Sequence, residues 1–334
     1  GLIHPIINFI SNIGYVAMTI LGGWLAINGR LKIGDIQAFI QYVDQFNQPL
    51  VQVANIANIL QSTAAAAERV FEFLDEPEES VESNNLVKLS NVKGEVEFDN
   101  VVFGYKPDQT IIKSLSAHIK PGQRVAIVGP TGAGKTTLVN LLMRFYEINS
   151  GSIKIDGVDI RKMKRSDVRQ MFGMVLQDTW LFNGTIRQNL MYGNPKATEE
   201  EMIKTAKEAH VDHFVRSLPG GYGMVLGEEA ANISQGEKQL LTIARAMLEK
   251  APMLILDEAT SSVDTRTEVL IQKAMDKLMQ GKTSFVIAHR LSTIRGADLI
   301  LVVKDGNIIE QGNHETLLKQ NGFYAELYNS QFAE

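Results

Sequence analysis

Apolar residues are distributed very unevenly along the chain. No Asp, Glu, Lys or Arg occurs from Gly1 to Gly29. As a helix rising ~1.5 Å per residue, this run would span about 43 Å, more than the ~30 Å hydrocarbon thickness of a bilayer. A signal peptide is the alternative, but no basic segment or initiator Met precedes the run, and the run is too long for a signal-peptide apolar region. We therefore expect a membrane helix at about residues 2–28, in a chain that is a fragment beginning in or just before that helix.

A second long helix is expected after a turn at residues 28–34. It should run from about 35 to 74, with a kink at Pro49. Residues 45–67 carry no formal charge, but amide and hydroxyl side chains recur among the apolar ones at helical spacing. These polar positions are Gln41, Gln45, Gln48, Gln52, Asn55 and Ser62. In lipid such a stripe must face protein or water, which predicts a helix lining a polar cavity. A soluble amphipathic helix is the alternative.

The composition changes again after residue 74. A proline and several acids at 75–80 end the helix, and the chain stays polar to about residue 93, which predicts a linker at 75–93. Strand-like runs then alternate with helical ones at Val96–Phe98, Val125–Val128, Gly151–Ile155, Gly173–Leu176, Met253–Leu256, Thr283–Ala288 and Leu299–Val303. This alternation predicts an α/β domain over residues 94–334, built on a mainly parallel sheet. A capping-box pattern from Thr198 to Glu201 predicts a helix there, within a helical insertion.

Overall composition narrows the classes of function. Apolar residues make up 45% of the chain, enough for a sizeable core. The 33 basic and 38 acidic residues leave a net charge of −5, which gives no electrostatic support for binding nucleic acid. The chain has no cysteine, so it has neither disulfides nor thiolate metal sites, as expected for a soluble part in a reducing compartment.

The strongest chemical motif is a glycine-rich loop between a predicted strand and a predicted helix. It follows the pattern G-x-x-x-x-G-K-[ST], filled by Gly129, Pro130, Thr131, Gly132, Ala133, Gly134, Lys135 and Thr136. Glycines let backbone N–H groups close around phosphate oxygens, and the helix N-terminus adds positive potential. Lys135 supplies a point charge, and the Thr136 hydroxyl suits Mg²⁺. A chance glycine-rich turn is the alternative, but all the fixed positions and both flanking elements match the motif.

A second motif places two acids at the end of an apolar strand. Asp257 and Glu258 follow Met253–Leu256, and the carboxyl edge of such a strand is where open α/β sheets bind ligands. Asp257 is suited to hold Mg²⁺, through water, and Glu258 to polarise an attacking water. A solvated acidic turn is the alternative for this pair alone; together with the phosphate loop the pair predicts a nucleotide-hydrolysing site.

Between these motifs, residues 232–239 read Asn-Ile-Ser-Gln-Gly-Glu-Lys-Gln and lead into an apolar helix. Here the chain resembles the ATP-binding cassette (ABC) family, whose signature reads Leu-Ser-Gly-Gly-Gln before such a helix. Motifs follow one another in the family's order over about 94–334, namely Tyr105, the phosphate loop, Gln177, the signature, the acidic strand, Asp264 and His289. The resemblance implies a P-loop NTPase fold with a helical subdomain and an antiparallel β part, ATP and Mg²⁺ as cofactors, and ATP hydrolase activity coupled to transport.

The resemblance also implies roles for single residues, although each taken alone is more often structural. Tyr105 would stack on adenine, and Gln177 would ligate Mg²⁺ and sense the γ-phosphate. His289 would contact the γ-phosphate and align the water with Glu258, which makes Glu258, His289 and Gln177 the catalytic set. The metal ligands would be Thr136, Gln177 and Asp257, and Thr137 and Asp264 would join the nucleotide contacts.

The signature would serve a second chain. Ser234 and Gly236 would present a hydroxyl and a backbone N–H to a γ-phosphate bound on a partner cassette, so two cassettes would enclose two ATP molecules. Two positions depart from the family: Gln235 replaces Gly, and Glu237 replaces Gln. Such departures resemble heterodimeric exporters with one weakened ATP site, so we favour a heterodimer. A tolerated variant in a homodimer is the alternative.

The layout resembles one half of an exporter. Residues 1–74 would be the C-terminal part of a transmembrane domain, with two helices preceding the cassette, and Gly227 to Ala230 match only in part a loop that senses those helices in exporters. The resemblance implies ATP-driven export of a hydrophobic or amphiphilic drug, lipid or peptide. The expected partners are a second half-transporter, the lipid bilayer and a small amphiphilic substrate, with the protein multi-pass in the cell membrane and the cassette cytoplasmic. A homodimeric lipid flippase and a non-transport cassette ATPase are the alternatives.

Overall fold

The structure is a computed structural model that describes residues 3–82, 86–227, 230, 232–257, 263–288 and 291–332. It contains two compact units, residues 1–81 and residues 82–334.

The first unit is a helical hairpin. Helix α1 spans Ile3–Ile27 and helix α2 spans Ile33–Leu74, close to the expected helices. The Asp35 carboxylate accepts the Lys32 backbone N–H at 3.0 Å and so closes the first turn of α2. The helix continues through Pro49. At Gly22 an added Cβ would lie 3.1 Å from the Ile36 side chain, so this glycine allows the two helices to approach closely.

The two helices differ in apolarity. Among the described residues, Asn8–Ile27 of α1 is the only helical segment long and apolar enough to cross a membrane. Its large side chains are exposed, with Phe9 66% and Ile20 69% accessible. Helix α2 does not meet the same measure of length and apolarity, because its amide side chains lower its mean hydropathy. Of the two expected transmembrane helices, α1 is therefore the one whose length and apolarity support a membrane span.

The second unit alternates strands and helices. Its strands are β1 Val96–Phe103, β2 Ile112–Ile119, β3 Arg124–Val128, β4 Ser150–Ile155, β5 Val158–Asp159, β6 Phe172–Val175, β7 Gly184–Thr185, β8 Val225–Leu226, β9 Met253–Asp257, β10 Thr283–Ile287, β11 Leu299–Lys304 and β12 Asn307–Gly312. Its α-helices are α3 Lys135–Leu142, α4 Arg165–Gln170, α5 Ile186–Met191, α6 Glu199–Glu208, α7 Asp212–Ser217, α8 Gln235–Glu249, α9 Thr265–Met279, α10 Leu291–Arg295, α11 His314–Gln320 and α12 Phe323–Phe332. Short 3₁₀ turns lie at Ile160–Lys162 and Gly221–Gly223.

The central sheet of the described residues has the strand order β12-β11-β3-β10-β9-β6. Strands β11, β3, β10, β9 and β6 are parallel, and β12 is antiparallel at one edge. Buried parallel strands are covered on both faces and read as continuous apolar runs, as in Val125–Val128 and Met253–Leu256. The predicted α/β architecture with a mainly parallel sheet is confirmed.

A second, antiparallel sheet has the order β2-β1-β4-β5. It corresponds to the antiparallel β part that the resemblance implies. It contains the runs Val96–Phe98 and Gly151–Ile155, which the alternation alone had placed with the parallel strands. In β1 the buried positions alternate with more exposed ones, as in a sheet with only one face on the core. Strand β2 pairs with β1 and was not predicted.

Helices α5, α6 and α7 lie between β6 and α8 and share a core with α8 and α9. The Thr198 hydroxyl accepts the Glu201 N–H at 3.2 Å, and the Glu201 carboxylate accepts the Thr198 N–H at 3.0 Å. The predicted capping box is therefore confirmed, and it starts α6 within the predicted helical insertion.

The later part of the expected linker is attached to this unit. The Asp156 carboxylate accepts the backbone N–H groups of Lys93, Gly94 and Glu95 at 2.7, 3.1 and 2.9 Å. Further back, the Glu82 carboxylate accepts the Arg165 N–H at 2.7 Å. The chain thus contacts the second unit at Glu82 and again at residues 93–95.

Candidate functional site

The loop between β3 and α3 has the backbone that the phosphate motif requires. Gly129, Gly132 and Gly134 have φ values of 154°, 81° and 103°, which side-chain-bearing residues rarely adopt. A Cβ at Gly129 would also collide with the Val303 carbonyl, and one at Gly134 would lie 2.9 Å from Ile112 Cδ1. Glycine is therefore needed both for the turn and for the close approach of neighbouring chain segments.

Lys135 begins α3 and folds back over this loop. Its Nζ donates to the carbonyl oxygens of Gly129 at 2.8 Å and Pro130 at 3.0 Å. Burial lowers the pKa of Lys135, and the negative charge of Asp257 offsets part of that effect. A half-buried ammonium whose hydrogen bonds, within the described part of the chain, go to neutral carbonyls favours an incoming anionic oxygen, because charge-assisted hydrogen bonds are the stronger ones.

A cleft of ≈ 400 Å³ opens beside the loop. It brings together residues from the phosphate loop and from the ends of β6, β9 and β10. Its lining residues are Ile111, Thr131, Gly132, Gly134, Lys135, Thr136, Thr137, Gln177, Asp257 and Ile287. Most of the residues assigned to phosphate and metal binding thus share one cleft, and Ile111 and Ile287 are apolar lining residues that the sequence analysis missed.

The three expected metal ligands are oxygen donors on different elements. Thr136 is exposed in the first turn of α3, Gln177 is exposed just after β6, and Asp257 ends β9. They converge because β3, β10, β9 and β6 are parallel neighbours whose carboxyl ends share one edge of the sheet. A set of hydroxyl, amide and carboxylate oxygens fits Mg²⁺, which prefers hard oxygen ligands and retains waters.

Tyr105 lies beside the start of α3. Its ring meets Phe103 and Tyr146 edge to face, with centroids 5.0 and 4.9 Å apart, and its hydroxyl is 3.4 Å from Thr137 Oγ1. The side chain is 45% accessible, so part of the ring is available to a ligand. Thr137 itself is buried.

The signature residues form the first turn of α8. The Ser234 hydroxyl donates to Glu237 Oε2 at 2.7 Å, the Ser234 N–H donates to the same oxygen at 2.8 Å, and the Glu237 N–H donates to Ser234 Oγ at 3.3 Å. Gly236 is buried, and an added Cβ would collide with Thr267 and lie 2.9 Å from Val263 Cγ1. Gly236 therefore allows α8 to lie close to the start of α9. Among the described residues that line the cleft, neither Ser234 nor Gly236 occurs.

Two further side-chain roles, one at α8 and one at α9, were missed from sequence. Gln235 Nε2 donates to Thr179 Oγ1 at 3.0 Å, which links the signature to the loop after β6. Asp264 accepts the backbone N–H groups of Arg266 and Thr267, both at 3.0 Å, so it caps α9. Hydrogen bonds from Thr267, and then from Arg266, lower the pKa of Asp264. The expected Glu258 and His289, and Glu228 of the expected sensing loop, lie outside the described residues.

Comparison with known proteins agrees with this geometry. Residues 112–261 match the family model described as ABC transporter. The chain is 58% identical over 327 residues to a fatty acid ABC transporter ATP-binding/permease protein of Mycobacterium bovis, covering 98% of this chain and 52% of that protein. It is 42% identical over 334 residues to an ATP-dependent lipid A-core flippase of Syntrophus aciditrophicus, covering 100% of this chain and 55% of that protein.

Among solved structures, a bacterial Atm1-family ABC exporter with ATP bound superimposes with a TM-score of 0.73. It is 38% identical in sequence, and the match covers 98% of this chain and 57% of that one. The chain thus spans about half the length of the curated relatives it matches. Since residues 112–261 match the family model and include the phosphate loop, Gln177 and Asp257, this part of the chain is the ATP-binding, ATPase domain of an ABC transporter.

Proposed function

We propose that this chain works as one half of a membrane exporter, in which ATP binding and hydrolysis drive a hydrophobic or amphiphilic substrate across the bilayer. The observation that carries the proposal is the cleft that unites Lys135 and Thr136 with Gln177 and Asp257. The chain also has an apolar helical segment, Asn8–Ile27, long enough to cross a membrane. Proteins with similar sequences are named as transporters and flippases.

In this proposal the loop residues 129–137 surround the phosphates, with Lys135 giving up its carbonyl partners for a phosphate oxygen. Thr136, Gln177 and Asp257 hold Mg²⁺, which when bound offsets phosphate charge. Glu258 polarises the attacking water and His289 aligns it. Tyr105 offers its accessible ring to adenine.

The signature points to a second cassette as partner. Neither Ser234 nor Gly236 is among the described residues that line the cleft, which supports a nucleotide bound between the phosphate loop of one chain and the signature of another. Glu237 adds negative charge beside Ser234, which disfavours a phosphate there. We therefore favour a heterodimer with one weakened ATP site. A homodimer remains the alternative, and the subunit composition of the purified complex decides between them.

Lipids are the substrate class we favour among drugs, lipids and peptides. Two of the relatives carry fatty acid and lipid A-core in their names. Helix α2, with its polar stripe, would be the second membrane helix and would face a cavity that suits an amphiphile with a polar head. The protein would then be multi-pass in the cell membrane, with the cassette in the cytoplasm.

The test uses the full-length protein, purified with its partner subunit and reconstituted in lipid nanodiscs. ATP hydrolysis should be stimulated by one class in a panel of lipids, drugs and peptides.

Glu258→Gln should stop turnover while ATP binding stays within about twofold, because the change removes only the group that polarises water. Asp305→Asn is the matched control, since Asp305 has a φ of 49°, which Asn also tolerates. Unchanged hydrolysis in Glu258→Gln would refute its role, and recovery of the protein without detergent would favour a non-transport ATPase.

A further inference from the structure

The first turn of α8 is connected to the cleft through one side-chain hydrogen bond. Gln235 Nε2 donates to Thr179 Oγ1 at 3.0 Å. Thr179 lies two residues after Gln177, which lines the cleft, and Gln235 directly follows Ser234. A short path of bonds therefore joins a cleft residue to the hydroxyl of the signature.

A second attachment fixes the same loop to α8 further along the helix. Arg245 donates from one guanidinium nitrogen to the Trp180 carbonyl at 3.1 Å. Through its other nitrogens it donates to the carbonyl of Asn189 at 3.0 Å and to its side chain at 2.9 Å. The Phe182 N–H in turn donates to the Asn189 side chain at 3.1 Å. The loop is thus held against α8 at two points.

Position 235 makes this contact possible. A glycine there, as in the family signature to which residues 232–239 are similar, has no side chain to reach Thr179. The contact therefore depends on the glutamine side chain at position 235, and the departure there adds an interaction instead of only removing space.

We propose that the Gln235–Thr179 hydrogen bond couples the two ATP sites of the cassette dimer, with Gln235 as a positioning residue. When the chain's own cleft binds nucleotide, contact with Gln177 shifts the loop, and the hydrogen bond carries that shift to Ser234, which serves the partner's nucleotide. The coupling is reciprocal, because each site must change the affinity of the other by the same factor. This inference rests on the proposed function, in which the signature completes a site on a second chain.

The size of the effect follows from the interaction. A single hydrogen bond contributes a net ~0.5–1.5 kcal/mol, so its loss should change the coupling between the sites by about two- to tenfold. The intrinsic chemistry in the chain's own cleft should change little, since neither Gln235 nor Thr179 is among the residues that line it.

The experiment measures ATP hydrolysis against ATP concentration for the full complex in nanodiscs. The parent should give a Hill coefficient above one. Gln235→Ala and Thr179→Val remove opposite ends of the hydrogen bond, and each should lower the Hill coefficient. In Thr179→Val, which lies outside the signature, the maximal rate should stay within about twofold of the parent's. The double variant should add nothing further, because both changes remove one interaction. Thr179→Ser keeps the hydroxyl and is the matched control.

Hydrogen exchange gives a second measurement that does not depend on turnover. Mg·ADP should slow exchange at the amides of residues 235–238 in the parent and in Thr179→Ser, and less so in Gln235→Ala and Thr179→Val. Parent-like cooperativity and protection in both of those variants would overturn the inference, as would a parent Hill coefficient of one with normal hydrolysis. A parent complex without ATP hydrolysis would instead refute the proposed function.

Discussion

The hydroxyl of Ser234 donates a 2.7 Å hydrogen bond to the carboxylate of Glu237, and the Ser234 N–H donates to the same oxygen at 2.8 Å. The acid suits the N-terminus of α8, where it caps the helix and meets the positive end of the helix dipole. Because of this bond, the Ser234 hydroxyl already donates to a residue of its own helix. A phosphate bound at this turn would compete with Glu237 for the hydrogen bond from the Ser234 hydroxyl. Its negative charge would also lie close to the negative charge of Glu237.

Replacing Glu237 by Gln should therefore strengthen ATP binding at the site that this signature completes. The amide oxygen can still accept from Ser234, so the cap persists while the charge is removed. Like charges a few ångströms apart repel by an amount that partial solvation and salt reduce, so we expect the apparent KM for ATP to fall about two- to tenfold. ATP hydrolysis of the reconstituted complex, measured across ATP concentrations, checks this.

Glu201→Gln is the control for that change. Glu201 closes the same kind of capping box at the start of α6, and its carboxylate accepts the Thr198 N–H at 3.0 Å. It is not among the residues that line the cleft. Its substitution should leave the KM unchanged, and an equal shift in both variants would assign the effect to helix capping.

The elements that could be predicted from sequence are those specified by local patterns. Continuous apolar runs identified the buried strands β3, β9 and β10, and the glycine spacing identified the loop before Lys135. Strand β2 could not be predicted, because only half of its positions are buried and its apolar residues form no continuous run. Which strands form the antiparallel sheet is likewise set by long-range pairing.

The candidate site was likewise predictable where a local pattern specifies a residue, and not where a contact between distant segments does. The sequence named Lys135, Thr136, Gln177 and Asp257, and the sheet edge brings them together. It could not show the partner of a side chain, such as Thr179 for Gln235, because that contact depends on how a loop folds against a helix 56 residues away. Asp264, which was predicted to contact the nucleotide, caps α9. The sequence analysis missed this role, although an acid directly before a helix indicates it.

A methyl group at Gly236 should disturb the contact between α8 and α9. The added Cβ would collide with Thr267 and lie 2.9 Å from Val263 Cγ1, and both neighbours are β-branched and stiff. Gly236→Ala should lower the free energy of unfolding by about 1–3 kcal/mol, less a small gain from helix propensity. Denaturant unfolding measures this. Gly223→Ala, where an added Cβ meets nothing within 4 Å, is the control and should not destabilise.

The C-terminal helices should confer sensitivity to mild acid through His314. Its Nδ1 lies 2.7 Å from the Tyr324 hydroxyl, and Tyr328, Arg295 and Glu315 are its other aromatic and charged neighbours. Burial and then the positive charge of Arg295 lower the pKa of His314, against a smaller opposing effect of Glu315. The unfolded chain therefore binds a proton more readily, and the free energy of unfolding should fall as the pH drops through about 6.5.

His314→Asn should flatten that dependence in denaturant unfolding measured from pH 7.5 to 5.5. The matched control is the same change at His118, whose Nε2 lies 2.8 Å from the Glu95 carboxylate and so faces a negative group. His118→Asn should not flatten the curve. If both variants keep the parent's slope, His314 does not supply the acid sensitivity.

Removing the ammonium of Lys135 should weaken nucleotide binding without destabilising the fold. Burial already disfavours the charged form of Lys135, and its hydrogen bonds to other described residues go to neutral loop carbonyls. Charge-assisted hydrogen bonds to phosphate are worth ~1.5–3 kcal/mol, so Lys135→Ala should lower ATP affinity about ten- to hundredfold in calorimetry. Lys113→Ala, at an exposed position of β2, is the control and should bind as the parent does. A lowered thermal midpoint for Lys135→Ala would show that the lysine supports the empty loop instead.

Tyr105 should contribute to binding through its ring and not through its hydroxyl. The ring is 45% accessible, while the hydroxyl lies 3.4 Å from Thr137 Oγ1, too long for a strong hydrogen bond. Stacking of a base on an aromatic ring is worth ~1–3 kcal/mol, so Tyr105→Ala should weaken ATP binding about five- to hundredfold, and Tyr105→Phe by less than about threefold. Tripolyphosphate, which has no base, should bind Tyr105→Ala as it binds the parent, but should bind Lys135→Ala more weakly. Equal losses of ATP and tripolyphosphate affinity in Tyr105→Ala would mean that Tyr105 acts by supporting the start of α3, through its contacts with Thr137, and not by stacking on adenine.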